Sequence, residues 1–219
     1  MIAFAAHVPD LTPVVSLVLN ARHRVPPARA LLVGISGIDA SGKGYVAARL
    51  ADVLRATGLA TEVVGVDAWL NLPSVRFSEV DPGGHFYRYA LRLDEMFERL
   101  VLPLKRNRAV DVEANVAEET ATAFRRHRYR YRDVDVVLVE GIFLFRPPYR
   151  AHFDVAAWID CSFETAQRRA IARGQEGLPP AETVAAFERI YVPAQRLHFD
   201  LDAPAASADI TIRNDPARG

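Results

Sequence analysis

Residues 30–44 read ALLVGISGIDASGKG. Ala30 to Ile35 is an uninterrupted apolar run of strand length, the pattern of a strand buried on both faces. The turn Gly37-Ile38-Asp39-Ala40-Ser41-Gly42-Lys43-Gly44 follows at once, and from Lys43 the apolar residues change to helical period. Val46, Leu50, Val53 and Leu54 share one helix face, and Gly58 is the expected C-terminal cap. Strand, glycine-rich turn and helix together form a concave anion site, because backbone N–H groups and a helix N-terminus converge on one point. Gly37 and Gly42 permit the tight wrap, and Lys43 would reach the β and γ phosphates of a nucleotide. The expected nucleotide-binding set is therefore Gly37, Ile38, Asp39, Ala40, Ser41, Gly42, Lys43, Gly44 and Tyr45, with Asp39 also stabilising the turn through its own side chain. One position departs from the usual pattern: where a Ser or Thr hydroxyl commonly holds Mg²⁺, this chain has Gly44. Either carboxylates and water hold the metal, or the loop binds nucleotide with poor turnover.

Outward from this segment, strand-length apolar bursts alternate with helical periods: Glu62 to Val66, Val134 to Val139, Val155 to Ile159 and Ala208 to Ile212. That alternation predicts βαβ units, hence an α/β fold with a parallel five-stranded sheet flanked by helices. Further helices are expected over Asp94 to Leu102, ended by Pro103, over Phe163 to Arg173, ended by Gly174, and from about Ala181 to Tyr191. The stretch from Leu70 to Arg132 interrupts the alternation and reads as a substrate-facing insertion, and residues 163–180 read as a lid. Residues 1–29 read as a helical extension ahead of the main domain at 30–219, with Thr12 as N-cap, Pro13 in the first turn, and Val14, Val15, Val18 and Leu19 as its apolar face.

The 219 residues carry 27 Lys and Arg against 27 Asp and Glu, so no excess of positive charge is available for a polyanion or an anionic membrane surface. A single cysteine, Cys161, makes no intrachain disulfide, and no Cys/His set has zinc spacing, so a cytoplasmic setting is expected. The apolar start MIAFAAHV is too short to span a bilayer and is interrupted by Pro9 and Asp10.

In open α/β sheets, ligands bind beyond the carboxyl ends of the strands, which singles out Asp67 after EVVGV and Glu140 after VDVVLV. Beside a phosphate loop, such a pair can supply a base for a hydroxyl and a partner for Mg²⁺. The segments GISGIDASGKG (34–44), VDAWLN (66–71), VLVEGIFLF (137–145), WIDCSFETAQRRAIARG (158–174) and ADITIRND (208–215) resemble, in that order, the uridine kinase and phosphoribulokinase family of P-loop kinases. The resemblance implies a P-loop NTPase fold of the nucleoside-monophosphate-kinase type and phosphoryl transfer from ATP, with Mg²⁺, to a hydroxyl of a small molecule such as a nucleoside or a sugar. It casts Asp67 as catalytic base and metal partner, Glu140 as the acidic residue that helps hold metal and substrate, and Arg169 and Arg173 as lid arginines over the transferring phosphate. The spacing of the two arginines agrees, since residues four apart share a helix face. The resemblance thins where the acceptor would bind: in WLNLPSVRF and DPGGHFYRY only position suggests His85, Tyr87 and Arg88 as acceptor contacts.

Arg125 to Arg132 reads RRHRYRYR, which as an edge strand would turn Tyr129 and Tyr131 inward and Arg128, Arg130 and Arg132 to solvent. One basic patch on a neutral chain is a weak nucleic-acid footprint, so an acidic small substrate or the product phosphate is its expected partner, and neither nucleic acid nor membrane is. Two functions stand side by side: an ATP-dependent small-molecule kinase, and a catalytically impaired nucleotide-binding regulator. Self-association is left open.

Overall fold

The computed structural model describes residues 9–174 and 177–216. The apolar start and part of the expected lid, Gln175 and Glu176, lie outside the described residues. The strands are β1 (Leu31–Gly37), β2 (Thr61–Gly65), β3 (Val110–Val116), β4 (Arg125–Tyr131), β5 (Val136–Gly141), β6 (Val155–Asp160) and β7 (Ile210–Arg213). The helices are α1 (Thr12–Arg24), α2 (Lys43–Ala56), α3 (Pro73–Arg76), α4 (Pro82–Tyr89), α5 (Leu93–Met96), α6 (Leu102–Asn107), α7 (Pro147–Arg150), α8 (Phe163–Arg173), α9 (Pro180–Ala186) and α10 (Val192–Asp202). Five strands form a parallel sheet in the order β2-β5-β1-β6-β7, and β3 and β4 form a separate antiparallel ribbon.

Every residue of β1 is buried, as its apolar run predicts. Alternate side chains serve two cores. Leu31, Val33 and Ile35 pack with Val136 and Leu138 of β5 against Val46, Leu50 and Leu54 of α2 and Val14 and Val18 of α1. Leu32, Val137 and Val139 face the opposite core, built with the 70–132 segment around Trp69, Phe97, Leu100 and Phe143. Val53, expected on the buried face of α2, is 38% exposed, because Ala47 and Ala51 complete the stripe that faces the sheet. The first helix begins with Leu11 in the capping position, and it is Asp10, not Thr12, whose carboxylate accepts the Thr12 N–H at 2.9 Å.

Two helices run past the ends expected for them, one at Pro103 and the other at Tyr191, and each continues through a proline. After α5 the chain widens into a π-helical turn at Phe97–Val101 and continues as α6 through Pro103 to Asn107. After α9 the same device, a π turn at Phe187–Tyr191, carries the chain into α10 through Pro193. In a regular helix each proline ring would strike the carbonyl four residues back and leave it without a donor; the wider turn moves that carbonyl aside.

The basic run is an edge ribbon. Tyr129 is buried and stacks on Trp69 with centroids 5.8 Å apart, while Arg126, Arg128 and Arg130 stand in solvent. Their charges are met across the ribbon: Arg128 and Arg130 pair with Asp111 at 2.6 and 3.1 Å, Arg126 with Glu113, and Arg125 with Glu118 at 3.2 Å. Asp111 and Glu113 of β3, with Glu118 just beyond it, thus meet these charges within the chain. Among the described residues, no helix is long and apolar enough to cross a membrane.

Candidate active site

The strand register brings the candidate residues together. Glu140, near the end of β5, lies between Ile35 of β1 and Gly65 of β2, one residue from the turn that carries Asp67. The glycine-rich loop leaves β1 at Gly37, so loop, Asp67 and Glu140 share the carboxyl edge of the sheet.

Gly42 is the N-cap of α2 at φ +93°, and a Cβ there would collide with the Asn214 side-chain amide. That backbone shape and the missing side chain both require glycine. Lys43 is buried, and its Nζ donates to the Ile38 carbonyl at 2.8 Å, which folds the lysine back across the mouth of the loop. Asp39 accepts the Ala40 N–H at 2.8 Å, the turn-stabilising role its position suggests. The Ser41 hydroxyl is buried with no hydrogen-bond partner inside the loop. An unmet donor and a helix N-terminus whose N-cap side chain is absent suit a phosphate, whose oxygens accept from both.

Arg169 and Arg173 do face the loop from α8. Arg169 Nη1 donates to the Ser41 carbonyl at 3.3 Å, and Arg173 lies 3.9 Å from the Asp39 carboxylate. Ser162 caps α8 through the Thr165 N–H at 3.3 Å, and Gly174 ends it at φ +57°, where the sequence places its stop. Two residues with no role assigned from sequence hold the loop from outside. Asn214 Nδ2 donates to the Ser41 carbonyl at 2.7 Å, and Gln195 of α10 accepts the Asp39 N–H. Asn214 lies within the segment 208–215 already singled out, but Gln195 carries no local signal because α10 lies beyond the expected helix end.

Gly44 and Gly65 flank the Glu140 carboxylate. A Cβ on Gly65 would approach Glu140 Oε1 to 3.0 Å, and one on Gly44 to 3.8 Å. The gap left by the missing loop hydroxyl is thus bordered by a carboxylate. Burial, with the Asp67 charge as a further cause, raises the Glu140 carboxyl to about 7, against the pull of Lys43 and Arg173. Asp67 is exposed on the side that lines the two cavities, and protein atoms crowd the rest of it. Loss of hydration raises its pKa, repulsion from Asp39 and Glu119 adds to the rise, and Lys43 and Arg173 oppose it. Among the described residues, no three His, Cys, Asp or Glu side chains cluster as a ready-made metal cage. Mg²⁺ needs no such cage: one or two carboxylates, phosphate oxygens and water satisfy it, and Glu140 and Asp67 fit that demand.

Asp67 stands between two cavities. One, of about 380 Å³, is walled by Phe77, Phe86, Ile142, Ile190 and Tyr191, with Arg76, Glu119, Arg173 and Gln195 among its polar lining. The other, of about 420 Å³, reaches toward the β3–β4 connection along Glu118, Glu119 and Thr120. Of the three acceptor contacts expected from position, none lines either cavity. His85 Nε2 meets the Val75 carbonyl at 2.8 Å, Arg88 pairs with Asp81 at 2.8 Å, and Tyr87 donates to Asp202 at 2.6 Å under the Arg146 guanidinium. It is Phe86, between them, that turns into the cleft. Tyr45 is 47% exposed on the outer face of α2.

A five-stranded parallel sheet with a glycine-rich loop after its central strand and carboxylates at the neighbouring strand ends is a P-loop α/β fold. Solved structures agree on the fold. The chain is similar to a possible uridine kinase from Bacillus stearothermophilus (TM-score 0.69, 20% identity, covering 92% of this chain and 98% of that one). It is also similar to D-glycerate 3-kinase from Cryptococcus neoformans var. grubii (TM-score 0.63, 15% identity, 87% of each chain). A third is phosphoribulokinase from Rhodobacter spheroides (TM-score 0.59, 14% identity, 87% of this chain and 72% of that one). Comparison by sequence gives no match to a protein-family model or to a curated protein.

Proposed function

We propose that this protein is an ATP-dependent kinase that transfers the γ-phosphate to a hydroxyl of a small molecule. The observation that carries the reading is the position of Asp67, a carboxylate of raised pKa between the lysine-bearing phosphate loop and a cavity of acceptor size. A carboxylate of raised pKa is a stronger base toward a hydroxyl than one at its ordinary value, and it would take the acceptor's proton as the oxygen attacks. The loop amides, the Ser41 hydroxyl and Lys43 would hold the nucleotide phosphates, and Arg173, with Arg169 behind it, would balance charge on the group in transit. Mg²⁺, when bound, supplies charge neutralisation between the phosphates, and Glu140 and Asp67 are the residues that would hold it, directly or through water. The three similar structures are named for kinases of hydroxyl-bearing small molecules, which supports the reaction class. A cytoplasmic setting, where ATP is supplied, goes with this reading.

Gly44 favours a second reading, a nucleotide-binding protein with little turnover. Steady-state ATP consumption against nucleosides, free sugars, polyols, sugar phosphates and hydroxy acids decides between them. Acceptor-dependent ADP release supports the kinase; ATP binding with no acceptor raising turnover above background overturns it.

A further inference from the structure

Resting on that reading, we propose that Gln195 is a positioning residue that couples the acceptor wall to the nucleotide loop, so that each substrate strengthens the binding of the other. Gln195 is 3% exposed on α10, about one helical turn beyond Tyr191, and both residues line the cavity beside Asp67. Its side-chain amide is engaged at both ends. Oε1 accepts the Asp39 N–H, and Nε2 donates to the Tyr191 carbonyl at 2.9 Å. The partners settle which end is which, because a backbone N–H only donates and a carbonyl only accepts. Leucine can do neither, and asparagine is one methylene shorter than the span requires.

At the loop end, the N–H that Gln195 holds belongs to the same peptide unit as the Ile38 carbonyl. That carbonyl accepts from Lys43 Nζ at 2.8 Å and from the Ser41 N–H at 3.2 Å. A peptide unit is planar, so a grip on its N–H sets the direction of its carbonyl. Gln195 and Lys43 thus hold opposite edges of one rigid plate, and a nucleotide that draws Lys43 toward its phosphates bears on Gln195 through it. At the acceptor end, Tyr191 closes the π turn of 187–191 and meets Phe86 edge-on at 5.1 Å. The helix that carries Phe86 is keyed to α10: a Cβ on Gly83 would come within 2.6 Å of Pro193, and Tyr87 and His198 each bond Asp202 at 2.6 Å. A molecule packed on Phe86 and Tyr191 therefore steadies the backbone to which the Gln195 amide is tied. Asn214 supplies the contrast. It braces the loop through the Ser41 carbonyl at 2.7 Å but lines neither cavity.

The test measures binding of the non-hydrolysable analogue β,γ-imido-ATP, with Mg²⁺, by calorimetry, with and without a saturating amount of the acceptor that turns over fastest in the panel above. It is run in the wild type, Gln195→Leu, Gln195→Asn and Asn214→Ala, each checked for native folding by its melting curve. The acceptor should tighten the analogue at least about fivefold in the wild type and less than about twofold in both Gln195 variants, and the analogue should tighten the acceptor by the same factor. Asn214→Ala should weaken the analogue and keep the response to acceptor. The Asn variant carries the test should the Leu variant misfold. Analogue affinity indifferent to the acceptor in the wild type overturns the inference and leaves the kinase reading standing. So does a response that the Gln195 variants keep, or one that Asn214→Ala loses as fully as they do, since either removes Gln195 as the link. Absence of acceptor turnover in a wild type that binds ATP overturns both.

Discussion

Replacing Glu140 by Gln should make the protein more stable while impairing its chemistry, and the gain should depend on pH in a way that only a raised pKa produces. Glutamine keeps the shape of the side chain and removes its charge. The glutamate carboxyl rises from its ordinary 4.5 to about 7 on folding because burial disfavours the charged form. Between those two values the folded state holds a proton that the unfolded chain has lost, so stability falls as pH rises through the window and is fullest below it. At about 1.36 kcal/mol per pKa unit, the raised pKa costs the wild type about 3 kcal/mol at pH 8 and about 1 kcal/mol at pH 5, relative to a side chain that does not titrate. Glutamine carries no such cost. Urea unfolding at both pH values should therefore show Glu140→Gln more stable than wild type by about 3 kcal/mol at pH 8, shrinking to about 1 kcal/mol at pH 5. For a chain of this size the pH 8 gain corresponds to a rise in Tm of roughly 6–12 °C. A variant less stable than wild type at pH 8, or an increment equal at the two pH values, would refute the claim that Glu140 is held ionised at a cost. Such a cost at a strand end is what a charge retained for function looks like.

Three further outcomes follow from the same geometry. Lys43→Ala should weaken ATP binding and lower kcat, whereas Asp67→Asn should lower kcat on the order of a hundredfold or more with nucleotide affinity nearly unchanged, as read by titration and steady-state rates. Gly44→Ser restores a hydroxyl at a site where its Cβ has 3.8 Å of room to Glu140, so it should fold normally and lower the Mg²⁺ concentration for half-maximal rate; an unchanged Mg²⁺ curve would mean the metal is held elsewhere. Gly34→Ala places a methyl 2.8 Å from the Phe145 ring and 2.9 Å from Phe153 in the sheet core, and should cost about 1–3 kcal/mol in unfolding experiments without touching nucleotide affinity.

The parallel sheet, its glycine-rich loop and the two strand-end carboxylates were legible because each rests on a local pattern: a buried strand is apolar throughout, and the loop needs glycine where φ turns positive. The helix ends placed at Pro103 and at Tyr191 were not: proline normally stops a helix, and the π turns that carry both helices onward are set by packing. That error hid α10, and with it Gln195, which accepts from the Asp39 amide.

The residues that wall the cavity beside Asp67 were less legible for a related reason. His85, Tyr87 and Arg88 were chosen by distance along the chain from the second strand, yet consecutive residues on a helix point about 100° apart, so nearness in sequence says nothing about facing. On α4 the choice is made by Tyr87, which Asp202 and the Arg146 guanidinium draw to the α10 side, and by Arg88, drawn to Asp81. With those two fixed, the helix turns Phe86 into the cleft, where it stacks on Phe77 at 5.8 Å and meets Tyr191 edge-on at 5.1 Å. An apolar residue with no chemistry of its own thus walls the proposed acceptor cavity, and its residue type carries no signal for that in the sequence. Phe86→Ala tests this: kcat/KM for the best acceptor should fall at least tenfold, chiefly through KM, with ATP affinity kept, because the lost wall binds ground state and transition state alike. A loss confined to kcat would instead place Phe86 in alignment of the reacting hydroxyl, and no loss at all would remove α4 from the acceptor site.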